Sequence, residues 1–503
     1  MIEQHNSLAE KFVKKGIWLY IFSFLVAPIG YIVKIILSHD LSVEEIGIIY
    51  GVMSLMVLLN SFNDLGMAES LNKFIPDFVT QKRYDKVKTI ITYALIAQII
   101  TGGIIFLVFY FLANFLAINY FDDEIATNII KIFSFFFLGT TFFHVINVFF
   151  QSIQDTFYQK ITELLRMLFI LGFTIYMFFN NLGNIFYYSA SWVLGLYFGI
   201  IISIFLFFKK YYLPYLKNEK ILWDKSIFKE IFSYALLVFL GSQASTILSQ
   251  IDMQMIIYML GNKDAGYYTN YLSIVSIPFV LIGPIFAFLF PVFSELIAKK
   301  DFEKIKLIKS IFTKNFLSFS LAFSILLFVF GEVVSVILFT DKFLISGIIL
   351  KYSVLFISFN FLLQINFNIL AANGKIKERL KIILIAIVFN SILNYILIKY
   401  IGVAGASLAT GLGWLLIYVL SEIKLKEYFT HFDIKYLVKN ILVFSFIGSL
   451  LYIFIVPHIN GLNNRLLELI YLVIVGIVYF IVYFLVNIGD FKYFYQEIKK
   501  IKK

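Results

Sequence analysis

Apolar blocks long enough to cross about 30 Å of hydrocarbon recur along the whole chain, separated by short polar stretches. They predict about fourteen spans: 15–37, 45–66, 90–117, 128–150, 157–179, 185–208, 231–259, 266–290, 310–331, 344–370, 379–400, 403–423, 436–456 and 466–487. The blocks are continuously apolar rather than alternating, which excludes a closed barrel. Isolated strands cannot satisfy their backbone in lipid, so each block reads as a helix and the chain as an all-α polytopic membrane protein.

Polar positions add orientation. Basic residues gather in alternate connections, such as Lys82, Arg83, Lys86 and Lys88, then Lys209, Lys210, Lys217 and Lys220, then Lys299, Lys300, Lys304, Lys306 and Lys309. The intervening connections are short and neutral or acidic, such as Asp122, Asp123 and Glu124. This alternation predicts cytoplasmic N- and C-termini.

The pattern also repeats. Gly47 in Val43–Tyr50 returns as Gly266, and the basic loop at Asp85-Lys86 returns as Glu303-Lys304. Leu182-Gly183 returns as Ile401-Gly402, and Lys34 falls against Asp252. So long a period signals duplication of half a protein. The expected organisation is a six-helix lobe over 1–215, a second over 216–432, two further helices over 433–489 and a basic tail over 490–503. Six is even, so the lobes share one orientation and are expected to be related by a pseudo-twofold along the membrane normal.

Composition narrows the class. Of 503 residues, 61% are hydrophobic and 15% charged, a balance that a soluble core cannot use. Mean hydropathy is +0.89. The net charge of +11 lies in inter-span loops, so it speaks for orientation and against a nucleic-acid partner. The polar start, Met1 to Lys15, followed by a full-length span, is not expected to be a cleavable signal. There is no cysteine and no metal-spaced histidine set, phosphate-binding glycine loop or nucleophile triad. No enzymatic activity, metal or cofactor is expected.

Val43-Glu44-Glu45-Ile46-Gly47-Ile48-Ile49-Tyr50, Asp64-Leu65-Gly66-Met67-Ala68-Glu69 through Pro76, and Gly261-Asn262-Lys263-Asp264-Ala265-Gly266-Tyr267-Tyr268 carry a resemblance. The chain resembles the polysaccharide flippases of the multidrug/oligosaccharidyl-lipid/polysaccharide exporter superfamily. That resemblance covers essentially the whole chain. It implies outward flipping of a prenyl-diphosphate-linked oligosaccharide by alternating access in the cell membrane, with H+ or Na+ as candidate coupling ion. It further implies work beside glycosyltransferases and a polymerase. A cation-coupled multidrug exporter of the same superfamily is the alternative. A glycan polymerase or ligase is disfavoured by the short outer connections.

Polar groups inside spans are candidate site residues. Lys34 binds a diphosphate, pairs with Asp252 or snorkels to the headgroups. Asp252 ends a small polar stripe with Gly241, Ser245 and Ser249, which either lines a cleft or packs closely against another helix. Span four carries Thr140, His144, Asn147, Gln151 and Gln154, read as interhelical hydrogen bonding or cavity lining, with His144 a relay candidate. Lys131 and Lys351 attract an anionic headgroup or snorkel. Asn60, Asn63, Asp64 and Gly66 in span two, and Pro278, Gly283 and Pro284 in span eight, mark expected interruptions at matching places. Asn270 completes the cavity candidates. Asp252, Asn390 and Asn394 are the coupling-ion candidates.

Overall fold

The apolar blocks are helices in the computed structural model, which describes residues 22, 24–428, 434–462, 464–490 and 492. The start of the first expected span and nearly all of the basic tail lie outside the described residues. Among those described, thirteen helices are long and apolar enough to cross a membrane. A helix over 24–40, α1, supplies the described part of the first expected span. The protein is a multi-pass all-α membrane protein.

By packing, the chain divides into two units that meet between Gly266 and Tyr267. The first contains α1, α2 (Val43–Asp64), α3 (Met67–Thr80), α4 (Tyr84–Phe111), α5 (Ala113–Asn119), α6 (Ile125–Ser152), α7 (Thr156–Phe179), α8 (Ile185–Phe207) and α9 (Lys225–Leu260). The repeat places its boundary at 215/216, whereas packing keeps α9 with the helices before it. Three hydrogen bonds show why. Ser61 Oγ donates to Gln243 Oε1 at 2.5 Å, Gln254 Nε2 to Ser54 Oγ at 2.8 Å, and Asn262 Nδ2 to the Phe121 carbonyl at 2.6 Å. The linker before α9 is tied to α4 as well, with Lys88 Nζ on the Glu219 carbonyl and Tyr93 Oη on the Leu222 carbonyl, both at 2.8 Å.

The second unit contains α10 (Asn262–Ala298) from Tyr267 onward, α11 (Phe302–Phe339), α12 (Leu344–Ser353), α13 (Ile357–Ala372), α14 (Ile376–Ile401), α15 (Val403–Lys424), α16 (Ile434–Leu450), α17 (Val456–Asn460) and α18 (Arg465–Val486). The last two spans rest on α11: Tyr479 Oη donates to the Ala322 carbonyl at 2.8 Å, and Phe480 stacks on Phe319.

The two copies break their helices in different places. Span two stops at Asp64, turns through Leu65 (φ 48°) and Gly66 (φ 75°), and restarts at Met67. In span eight the expected interruption does not appear, and α10 runs unbroken past Pro278 and Gly283. The residues at 284 and 285 account for this. Pro284 stands where Leu65 would be, and its ring fixes φ near −65°, which is helical. Ile285 stands at the place of Gly66, and a β-branched residue resists positive φ. The second copy breaks instead in span ten, where a 3-10 turn, Val354–Phe356, separates α12 from α13. The Val354 carbonyl accepts from the Ile357 amide within this turn and from Ser324 Oγ at 2.7 Å.

Candidate functional site

The break after α2 exposes backbone groups that side chains must satisfy within the membrane-spanning region. Asp64 does so from inside the turn, its Oδ1 accepting from the Ala68 amide at 3.1 Å. The same oxygen accepts from Gln98 Nε2 of α4 at 2.9 Å and faces His144 Nδ1 of α6 at 3.3 Å. One carboxylate therefore links three helices and caps the restarted one. Asp64 Oδ2 has no bonded partner among the described residues. The Asp64 side chain is 21% exposed and His144 42% exposed, so neither is sealed within the helix bundle.

A second layer of amides and hydroxyls holds this pair. Asn63 is buried, accepting at Oδ1 from Thr101 Oγ1 at 2.7 Å and donating from Nδ2 to Thr141 Oγ1 at 3.3 Å. Asn60 Oδ1 accepts from Thr140 Oγ1 at 2.9 Å. Gly102 lets the helices close here, because a Cβ on it would lie 3.0 Å from the Phe137 carbonyl and 3.1 Å from Asn63 Oδ1. Asn60, Asn63, Asp64 and His144 thus come together from α2 and α6. Sequence reasoning missed Gln98 and Thr101. The polar positions of α4 at 98 and 101, three residues apart on one face of an otherwise apolar block, were the available signal.

Asn147 belongs elsewhere. It accepts from Thr162 Oγ1 of α7 at 3.0 Å, so the stripe on span four divides between two neighbouring helices. For Asn147 the interhelical hydrogen-bonding alternative is the one realised.

Lys34 is 7% exposed, with Nζ 4.3 Å from the centre of the Tyr50 ring. It lies inside the protein, so the snorkelling alternative does not hold for it. Asp252 of the same unit is 6% exposed. Along the small stripe of α9, a Cβ on Gly241 would meet nothing within 4 Å among the described residues, Ser249 is exposed and Asp252 is buried. Lys131 rests 5.7 Å from the Tyr110 ring. Its counterpart Lys351 pairs with Glu332, which neutralises it. In the second unit Asn270 is fully buried, and Asn394 Nδ2 donates to Asn390 Oδ1 at 2.9 Å.

One group read from sequence as a loop charge is not one. Lys309 is 1% exposed, with Nζ 2.8 Å from Glu422 Oε2, and Asn366 Nδ2 donates to Glu422 Oε1 at 2.9 Å. It lies about two turns inside α11, where its ammonium meets Glu422 of α15. Among the described residues there is no group of three or more His, Asp or Glu placed to hold a metal ion.

Comparison with known proteins gives a family and a fold. Residues 12–297, more than half of the chain, match the family model described as "Polysaccharide biosynthesis protein". The chain is 28% identical over 500 residues, 95% of each protein, to "Uncharacterized membrane protein MJ1068" of Methanocaldococcus jannaschii. Its fold is similar to that of the lipid II flippase MurJ in an inward closed conformation, with TM-score 0.74, 16% identity and coverage of 95% of this chain and 99% of that one. It is also similar to an inward-facing multidrug resistance MATE family transporter of the MOP superfamily, with TM-score 0.66, 15% identity and coverage of 87% and 99%.

Proposed function

Because the chain belongs to the polysaccharide biosynthesis protein family, we propose that it moves a lipid-diphosphate-linked oligosaccharide from the cytoplasmic to the outer leaflet by alternating access. The observation that carries this reading is the family match itself, which spans the whole polar assembly of the first unit: Lys34, the broken helix at Asp64–Gly66, His144 and Asp252. Lys34 is the natural group for a diphosphate, with the prenyl tail left in lipid. The Asp64–His144 pair, a carboxylate and an imidazole in contact where the restarted helix meets α6, is the candidate place for a coupling proton. Asp252 is the other carboxylate for a coupling cation. The termini are assigned to the cytoplasm, and the protein would work beside glycosyltransferases and a polymerase.

The experiment is deletion followed by mass analysis of lipid-linked sugars. Accumulation of one species on the cytoplasmic side, reversed by the wild-type chain and not by Lys34→Ala at equal protein level, is the expected result. Unchanged lipid-linked sugars would overturn the reading. The second reading, a cation-coupled multidrug exporter, is favoured by the buried Asp252 and by the likeness in fold to the MATE transporter. It predicts drug sensitivity on deletion with the sugar pool unaltered.

A further inference from the structure

At the basic end of the first unit, a cavity of about 490 Å³ opens between α3, α4, α6 and the segment after α8. That volume lies within the roughly 300–1,000 Å³ typical of small-ligand sites. Its walls carry Tyr84, Tyr211 and Tyr215, with Gln154 and Asp155 among apolar side chains. The Tyr84 and Tyr215 rings lie 5.4 Å apart. The wall after α8 is a nine-residue π-helix, Phe208–Leu216, a form that is rare and often found at functional sites.

Asp155 stands at the N-cap of α7, where an aspartate ordinarily accepts from the first-turn amides. Here it makes no capping bond. Its carboxylate turns to the cavity wall instead, where Oδ2 accepts from Lys210 Nζ at 2.7 Å and from Tyr211 Oη. Oδ1 has no bonded partner among the described residues. Asp224 and Asp301, at the starts of α9 and α11, do cap their helices, so the chain uses aspartate in the ordinary way elsewhere.

The duplicate shows the alternative. After α6 the left-handed residue is Gln154 (φ 59°), and after α13 it is Gly374 (φ 71°), so Asp155 corresponds to Lys375. Lys210 and Tyr211 follow the end of α8 as Glu427 and Tyr428 follow α15. The second copy therefore inverts the ion pair, with Lys375 Nζ 3.6 Å from Glu427 Oε1. Phe302 replaces Tyr84 and packs 6.0 Å from a Tyr428 ring that is 1% exposed. Where the second copy has glycine, lysine and phenylalanine, the first keeps an amide, a carboxylate and a phenol around an open space. Holding Gln154 at positive φ is a backbone strain that glycine avoids.

From these features we infer that the cavity binds one pyranose unit. A pyranose offers an apolar C–H face to the tyrosine rings and hydroxyls to Asp155 Oδ1 and the Gln154 amide. Charge-assisted hydrogen bonds to a carboxylate are the stronger kind. The pyranose would come from the sugar headgroup of the proposed substrate, engaged before translocation, so the inference rests on the flippase reading.

The test is saturation-transfer NMR on the full chain in nanodiscs. The probes are methyl glycosides of glucose, galactose and N-acetylglucosamine, with a short-chain prenyl-diphosphate N-acetylglucosamine as companion. At least one glycoside should show transfer that falls about tenfold in affinity for Asp155→Asn and for Gln154→Gly. Gln154→Gly installs the residue used by the second copy, so it should fold at least as well as wild type, and its loss of binding would not be a folding defect. Tighter binding of the prenyl-diphosphate compound than of its methyl glycoside identifies the lipid-linked headgroup as the source, and equal binding a free sugar. No transfer from any probe, or transfer unchanged in both variants, overturns the inference. Sugar-lipid accumulation on deletion with no effect of either variant would leave the flippase reading standing without this site. Cavity binding without accumulation would do the reverse.

Discussion

At the scale of single residues, the duplicated glycines form one contact. A Cβ on Gly47 would lie 1.8 Å from the Asn262 carbonyl oxygen, and one on Gly266 would lie 2.1 Å from the Val43 carbonyl oxygen. The repeated motif is thus a backbone-to-backbone crossing in which each glycine makes room for the other's helix start. Gly47→Ala is expected to destabilise by about 3 kcal/mol, the upper range for overpacking, because backbone rather than a flexible side chain must move. Gly103→Ala, with nothing within 4 Å, should stay within about 1 kcal/mol of wild type. Thermal unfolding of the purified protein reads both. Gln98→Leu is a second test. It removes one of the two N–H donors on Asp64 Oδ1 and should cost about 1–3 kcal/mol. The glycines were legible as a motif because they recur at a fixed offset. Their partnership was not, because it depends on how α2 crosses the start of α10. Gln98 was hidden for a related reason, since a lone amide in an apolar block shows its purpose only when the neighbouring helix is known.

At the scale of elements, the lobes share a sequence pattern yet break their helices differently, and two residues decide it. Leu65-Gly66 takes up left-handed backbone, whereas Pro284 cannot adopt positive φ and Ile285 resists it, so the turn of span two is not open to span eight. Span two was legible as interrupted because Asn, Asp and Gly cluster there. Span eight misled because glycine and proline read as breakers, although a proline's fixed φ is compatible with continued helix. Span ten's 3-10 turn carried no breaker signal at Val354–Phe356. The ion pair between α11 and α15 also escaped, since Lys309 lies beside a run of truly exposed lysines. Lys309→Met leaves Glu422 buried without its ammonium and should destabilise by about 3–5 kcal/mol, whereas joining it with Glu422→Leu should recover much of that loss. A double-mutant cycle on thermal unfolding checks the coupling. Recovery absent from the double variant would mean that the pair is not the source of the effect.

At the scale of the whole molecule, hydropathy was enough to predict about fourteen spans, because apolar length is set by bilayer thickness and needs no partner to be read. The proposed function was legible only through the motif resemblance, since transport would leave no signature like a nucleophile triad. Orientation can be checked directly. The chain has no cysteine, so single substitutions report without background. Lys82→Cys and Lys217→Cys should be labelled only from the cytoplasm, and Asp122→Cys and Asn181→Cys only from outside. Labelling of all four from one side would sink the assigned topology.

The copies also exchange charge at equivalent places: Lys34 against Asp252, and Asp155 against Lys375. Purified protein in liposomes that carry a fluorescent prenyl-diphosphate oligosaccharide should accelerate its loss from the quencher-protected leaflet, and Lys34→Ala should return the rate to that of protein-free vesicles. A rate equal to that of protein-free vesicles for the wild-type chain, with the host's own lipid-linked sugar, would contradict the account.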